Sequence, residues 1–442
     1  MKIGFAKNDI TPRVGVELCG FGPYINRHST FVRDRLWARA MAVEAGGRTI
    51  VLISCDLIGV NLDTTRRVRQ LVGAATGVAA DNILLHCTHT HSGPTTCELV
   101  GWADMDLPYM ELLPQRIARA AIDAVARVQE ATLRYGFGPC EGIGINREYE
   151  PANPPLAQTL CEDWRPQKPE LTDTVCHVLA AEAGGKVIGF ASYFGCHPVV
   201  CCQETHYIHG DYAGVATNTL EREFGPAAVG LFLQGAQGDV NTCVVHRGEQ
   251  DSLLALDVIA ARYARAVRSA LAAAKPVAAD DVRAARMDVT FTRVPLKIDD
   301  LRRMLAQPEA LLHTPDASDA SHDIRMATVY AVTLRRLIAR MEAGLPLTVP
   351  TELQALRIGP LRLLGAPFEI FRAIKEDVVA ATGPASLVMG LTNDCASYAT
   401  DRATNARGGY AAQQVPIMLG QLPYRDIHGE LVERLVALAA GV

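Results

Sequence analysis

The chain lacks several features that would commit it early to a class. Its 442 residues hold no dense Lys/Arg run, and 43 basic residues against 48 acidic ones give a formal net charge of -5. A polyanion-binding surface needs the opposite balance, so no nucleic-acid partner is expected. No apolar run reaches the length of a membrane span; the longest, around 49–60, is broken by Asp56. The start, MKIGFAKNDITPR, has no charged leader followed by an apolar core and a small-residue cleavage site. A cytoplasmic location without a membrane partner is the expectation. Aromatic residues make up only 6% of the chain, and no amphipathic membrane-binding helix is evident. The Gly-rich QGAQGDVN (234–241) lacks the Lys-Ser/Thr ending of a phosphate loop, which disfavours nucleotide binding. No internal repeat and no low-complexity linker stand out.

What is present is the profile of a soluble globular protein, with 49% hydrophobic and 21% charged residues. The twelve cysteines are scattered, several of them in apolar strands (Cys55, Cys87, Cys176). There a reduced thiol behaves as a small hydrophobe, and in a reducing compartment the cysteines need not pair.

Apolar, β-branched runs alternate with helical spacings. Residues 49–57 and 82–88 read as buried strands around a helix at 62–75, a unit that implies a parallel pair with a right-handed crossover. The spacing predicts a helix over 107–129, a strand at 132–137, and an irregular Pro-rich loop at 151–169. Strands follow at 187–195 and 229–234, separated by a helix beginning near Asp211, then helices at 253–274 and 324–341. The polar segment 313–322 reads as a lid or a loop. Strands near 353–364 and 386–391 bracket a helix at 370–381. This alternation predicts an α/β fold in one continuous domain over 1–442, with 279–294 the weakest stretch.

Chemistry concentrates at strand ends. An apolar strand runs directly into THTHSGP (88–94), so His89 and His91, two apart, project to one side where α/β sheets bind ligands. His-x-His alone leaves both a metal site and a solvated strand end open. FGCHP (194–198) ends another apolar strand; Pro198 cannot extend it, so His197 is presented rather than buried in the sheet. Neutral imidazole suits zinc, but an isolated His-Pro by itself better suits a core histidine bonded to backbone. In HGDYAG (209–214), Asp211 fits a helix N-cap or a residue that orients a ligand histidine.

In this order, NDITP (8–12), CGFG (19–22), RDRLWARA (33–40), SCDL (54–57), THTHSGP, GIGINR (142–147), FGCHP, HGDYAG, QGAQGDVN, TNDCASYATD (392–401) and RGGY (407–410) resemble the catalytic domain of the neutral/alkaline, non-lysosomal ceramidase family. The resemblance implies mixed, partly parallel β-sheets flanked by helices, and a zinc amidase that attacks an N-acyl bond with metal-activated water. By position, His89 and His197 resemble zinc ligands, and Tyr398 the tyrosine near or on the metal. His91, Arg147 and Tyr410 resemble residues lining the substrate amide and its neighbouring hydroxyl, and Gly20 a glycine where backbone approaches substrate. His91, unligated, can take and return a proton.

Three departures shape the expectation. Where the family has a ligating glutamate this chain has Ala366; either Glu369, three residues on, replaces it, which is the favoured reading, or water is the fourth ligand. Asn241 stands where the family has a serine, which favours direct attack by water. The chain ends at Val442, short of the immunoglobulin-like domain of secreted ceramidases. A small soluble N-acyl compound is therefore expected in place of ceramide. Zinc is the default metal, although iron or manganese suits the same ligands. Homo-oligomer formation stays open. Three rival readings remain: hydrolysis of an ester, lactone or cyclic amide at the same metal; a thiol or structural-metal site built from Cys196, Cys201, Cys202, His206 and His209; and a ligand-binding protein that has lost its metal.

Overall fold

Two aliphatic strands, β1 (Lys2–Asp9) and β2 (Trp37–Ala45), pair antiparallel, and β2 turns into β3 (Arg48–Cys55) through Gly46-Gly47. Both glycines have positive φ (57° and 73°), the two-residue turn that matches strand twist. Helix α1 (Leu62–Thr76) is capped by the Asn61 side chain and ended by Gly77 in the left-handed region. It crosses over to β4 (Ile83–Cys87), parallel to β3, and α2 (Leu107–Ala126) then packs back on β1. The structure, a computed structural model, describes residues 1–150 and 154–442.

The same sequence of events follows twice more. Strands β5 (Thr132–Pro139), β6 (Val175–Ala183) and β7 (Lys186–Phe194) form an antiparallel meander, with β6 and β7 again joined by two positive-φ glycines, Gly184-Gly185. Helix α3 (Asp211–Phe224) crosses over to β8 (Val229–Gln234), parallel to β7, and α4 (Glu249–Ala273) packs on β5. After β9 (Val282–Val289), the helical hairpin α5 (Ile298–Leu312) and α6 (His322–Glu342) intervenes. The meander then continues as β10 (Thr351–Ile358) and β11 (Leu361–Gly365), turning at Gly359 (φ 58°) and Pro360. Helix α7 (Arg372–Thr382) leads to β12 (Ser386–Met389), parallel to β11, and α8 (Ile427–Ala440) closes the chain.

Each four-strand unit thus reads β-β-β-α-β-α with sheet order 4-3-2-1, and the inner faces of all three sheets meet in one core. Ile3, Met41 and Leu52 pack there with Leu179, Ala191 and Leu231, and with Leu356, Leu363 and Met389. Each outer face is covered by its own helix pair. Excluding so much apolar surface from water on both sides is what holds the sheets.

The mixed, partly parallel α/β architecture and the predicted β3–α1–β4 crossover are as expected. Four readings need correction. The topology is an internal threefold repeat, which EAGGR (44–48) and EAGGK (182–186) at matching hairpins betray in sequence. The run 353–364 is a hairpin, not one strand, because Gly359 adopts the left-handed region. Helices α5 and α8 were not anticipated. Within the Pro-rich 151–169, residues 151–153 lie outside the described residues, and Leu156–Thr159 forms one helical turn. All twelve cysteines are free in this structure. Among the described residues no helix is long and apolar enough to cross a membrane.

Candidate active site

The carboxyl ends of the parallel strands deliver the site. Beyond β4, the amides of Thr88 and His89 bond Cys55 and Leu57 carbonyls at 2.9 Å each, so the chain follows its partner two residues further. His89 then takes a positive φ of 69°, a conformation costly for a non-glycine residue. Its ring is held by Nδ1 donating to the Ile58 carbonyl at 2.6 Å. A carbonyl only accepts, so Nδ1 carries the proton and the Nε2 lone pair faces the cavity. The second unit repeats the device. His197 Nδ1 donates to the Gln237 carbonyl at 2.6 Å, which leaves its Nε2 lone pair facing the same point. Burial holds the His197 pKa down at about 4, against the pull of Glu369.

Glu369 comes from the third unit. It opens a two-residue bridge, Glu369–Ile370, that pairs in parallel with Tyr398–Ala399, register Glu369 to Tyr398. Its Oε2 lies 2.8 Å from His197 Nε2 and 3.4 Å from His89 Nε2. Burial works against its charge, yet His89 and His197 hold the carboxyl well below its ordinary range. Two imidazole lone pairs and a carboxylate oxygen, with ring tautomers preset by backbone carbonyls, form a donor set that fits a divalent cation. Ala366 is buried in the core between sheet and helices, its amide bonded to Met389, away from this point.

His91 joins the cluster more closely than a purely substrate-facing role requires. Its Nε2 is 3.2 Å from His89 Nε2, and the ligand atoms of His89, His91 and His197 all lie within 4.8 Å of one another. Burial, then the two neighbouring imidazoles, push its pKa well below 6.5, so it is neutral. Gly20 (φ 112°) lies against that ring: a Cβ there would stand 2.3 Å from His91 Nδ1. Tyr398 is buried, with the Arg147 guanidinium 5.2 Å from its ring centroid. Burial raises the phenol well above 10, so Tyr398 is a proton donor. Arg147 is fixed by donating to the Gly238 carbonyl at 2.6 Å. Tyr410, 48% exposed, stands at the mouth beside Tyr398.

Two buried groups buttress the ligand segments. The Gln234 side chain donates to the carbonyls of Thr88 and Cys196 at 3.0 Å each and accepts the Cys196 amide, tying the residue before His89 to the residue before His197. Asp211 accepts the amides of Val200, Cys201 and Tyr212, which fixes the turn after His197; burial lifts its pKa to about 6. Cys201, His209 and Asp211 form a second compact group. There His209 Nδ1 accepts the Asp211 amide at 3.0 Å, so Nε2 bears the proton and offers no lone pair to a metal.

Sequence reasoning missed several lining residues. A mouth of about 590 Å³ is bordered by Trp102, His246, His322 and Tyr330 as well as Asn241, Arg147 and Tyr398. An inner cavity of about 110 Å³ behind His89 and His91 adds Cys97, Leu99, Cys395 and Met418. These come from loops, from the short helix Val415–Met418 and from α6, and no motif in the sequence marks them as lining the site.

Comparison with known proteins accords with this geometry. The family model described as neutral/alkaline non-lysosomal ceramidase, N-terminal, matches residues 1–284. The neutral ceramidase of Pseudomonas aeruginosa is 25% identical over 254 residues, covering 54% of this chain and 37% of the relative. That of Mycobacterium tuberculosis is 25% identical over 268 residues, covering 54% and 40%. The chain therefore spans less than half the length of these curated relatives. The crystal structure of the Pseudomonas aeruginosa neutral ceramidase superposes with a TM-score of 0.76 at 22% identity, covering 100% of this chain and 74% of the other. A ceramidase complexed with C2 gives 0.75 at 21%, covering 100% and 75%. With the family model matched over more than half its length, the chain belongs to the neutral/alkaline non-lysosomal ceramidase family.

Proposed function

We propose that the chain is a zinc-dependent hydrolase of N-acyl amide bonds, with iron or manganese able to occupy the same ligands. The observation that carries this reading is the convergence of His89 Nε2, His197 Nε2 and the Glu369 carboxylate, one from each unit, with both ring tautomers preset. When bound, zinc supplies a Lewis acid that polarises the amide carbonyl and acidifies a water. Neutral His91 takes the proton of the attacking water at Nε2 and returns it to the leaving amine nitrogen. Tyr398 donates its hydroxyl proton in a hydrogen bond to the carbonyl oxygen as negative charge builds there, and Arg147 holds that phenol in place. Gly20 and Tyr410 border the space left for the amide and the group beside it.

The expected substrate is a small N-acyl compound whose acyl group enters the inner cavity of about 110 Å³. A lipid amide is the second reading. It is favoured by a groove of about 590 Å³ lined by Met304, Leu311, Leu334 and Ile417, which adjoins the mouth at Met326 and Tyr330. A series of N-acyl amides of increasing chain length separates the two: kcat/KM peaks at short acyl groups for the first and climbs with length for the second. The free cysteines support a reducing, cytoplasmic setting.

The primary test is metal content with activity. Protein reconstituted with zinc should hold one equivalent; His89→Ala, His197→Ala and Glu369→Gln should lose it, while His91→Ala keeps the metal and loses turnover. Failure of the unaltered protein to hold zinc, iron or manganese would sink the reading.

A further inference from the structure

Two side chains on the inner cavity take no part in the chemistry above. Cys97 lies three residues after THTHSGP, and Cys395 three residues before Tyr398. Both are half-buried and line the cavity with His89, His91 and Tyr398. Their sulfurs sit over Gly59: a Cβ at that glycine would stand 2.8 Å from Cys395 Sγ and 3.1 Å from Cys97 Sγ. Any larger residue at 59 would expel one of the thiols. With Gly59 there, both thiols lie over the same glycine, one from the His91 loop and one from the Tyr398 loop. The other cysteines are buried, apart from Cys161, which is exposed and far along the chain from this cavity.

We propose that Cys97 and Cys395 are a covalent modification site, a dithiol that a peroxide closes to a disulfide across the inner cavity. One thiolate attacks the peroxide, breaking its O–O bond to give a sulfenic acid and hydroxide. The second thiol then attacks that sulfur, the new S–S bond displaces the sulfenic oxygen, and its proton leaves with that oxygen as water. In balance, two thiols and one hydrogen peroxide give one disulfide and two waters. Closing the bond requires an S–S distance of about 2.05 Å and Cβ atoms about 3.8 Å apart. It therefore draws the Cys97 and Cys395 loops together and narrows the cavity between them. The neighbouring thiol, then burial, raise the Cys97 pKa well above its ordinary value. Since the thiolate is the nucleophile, closure is slow at neutral pH and quickens as pH rises. The bond itself does not depend on the amidase reading; its consequence, a blocked hydrolase, rests on it.

The test treats the full-length, zinc-loaded protein with hydrogen peroxide at mildly alkaline pH, then alkylates, digests and maps the linked peptides. The expected result is a Cys97–Cys395 cross-link, loss of amide hydrolysis and recovery of both with dithiothreitol. A dithiol-bridging trivalent arsenical should inhibit likewise and be reversed by dithiols. Cys97→Ser and Cys395→Ser should each abolish the sensitivity, read as treated over untreated activity so that any basal change cancels. Both cysteines remaining alkylatable after treatment would overturn the proposal, as would a cross-linked protein with undiminished activity. Should the reduced protein hydrolyse no amide, the amidase reading fails, and peptide mapping still decides the dithiol.

Discussion

His91 and Gly20 show how closely single residues set this site. The imidazole occupies the space a side chain on Gly20 would need, and φ of 112° at that position independently excludes other residues at low cost. Gly20→Ala should therefore leave the metal stoichiometry intact, because His89, His197 and Glu369 are untouched, while displacing His91. A displacement near 1 Å predicts a loss in kcat of order 10²-fold. Metal analysis alongside steady-state kinetics checks it; a variant that lost its metal instead would make His91 a ligand. At the same scale, Glu369 is fixed by its parallel pairing with Tyr398.

At the scale of elements, the ligand-bearing strand ends do not hold themselves in place. Gln234, fully buried at the end of β8, bridges the Thr88 and Cys196 segments with three hydrogen bonds. Gln234→Leu removes them and leaves buried backbone groups unpaired, a predicted loss of about 3 kcal/mol in unfolding free energy. Urea denaturation measures that loss, and zinc affinity should weaken with it because His89 and His197 would no longer be tied to one another. Asp211 acts similarly on the turn after His197. Its place at the head of α3 was legible in the sequence, but the N-cap is Gly210, not Asp211, whose carboxylate turns instead to the loop amides of residues 200 and 201.

At the scale of the molecule, three β-β-β-α-β-α units share one core and each sends a candidate metal ligand to a common point. At the edge of that core, away from the candidate metal ligands, His177 is a half-buried histidine of β6 that lines a surface cavity. Its Nδ1 shares a hydrogen bond of 2.7 Å with the Tyr135 hydroxyl, and burial lowers its pKa to about 4, offset in part by Asp173. In the unfolded chain this histidine protonates near 6.5, in the folded chain only near 4. Unfolding therefore takes up a proton between those values, and stability present above pH 6.5 is lost as pH falls towards 4. The wild type should lose about 1.4 kcal/mol per pH unit relative to His177→Gln through that window. Paired denaturation curves from pH 7 to 4 measure the difference, and parallel curves would refute the burial argument.

Local pattern alone determined much of this protein. Apolar periodicity located most strands and helices, and collinear motifs pointed to His89, His197, Arg147, Tyr398 and the family. Those are matters of neighbours in the chain, which the sequence states directly. Tertiary structure decided the rest, because it turns on contacts between residues far apart. Only there does Glu369 meet His197, 172 residues away, at 2.8 Å. Only there do the tautomers of His89 and His197 follow from carbonyls on other segments. The same holds for the threefold repeat, which three diverged units express in strand pairing, and for Cys97 and Cys395, which the sequence leaves almost 300 residues apart and the fold lays side by side over Gly59.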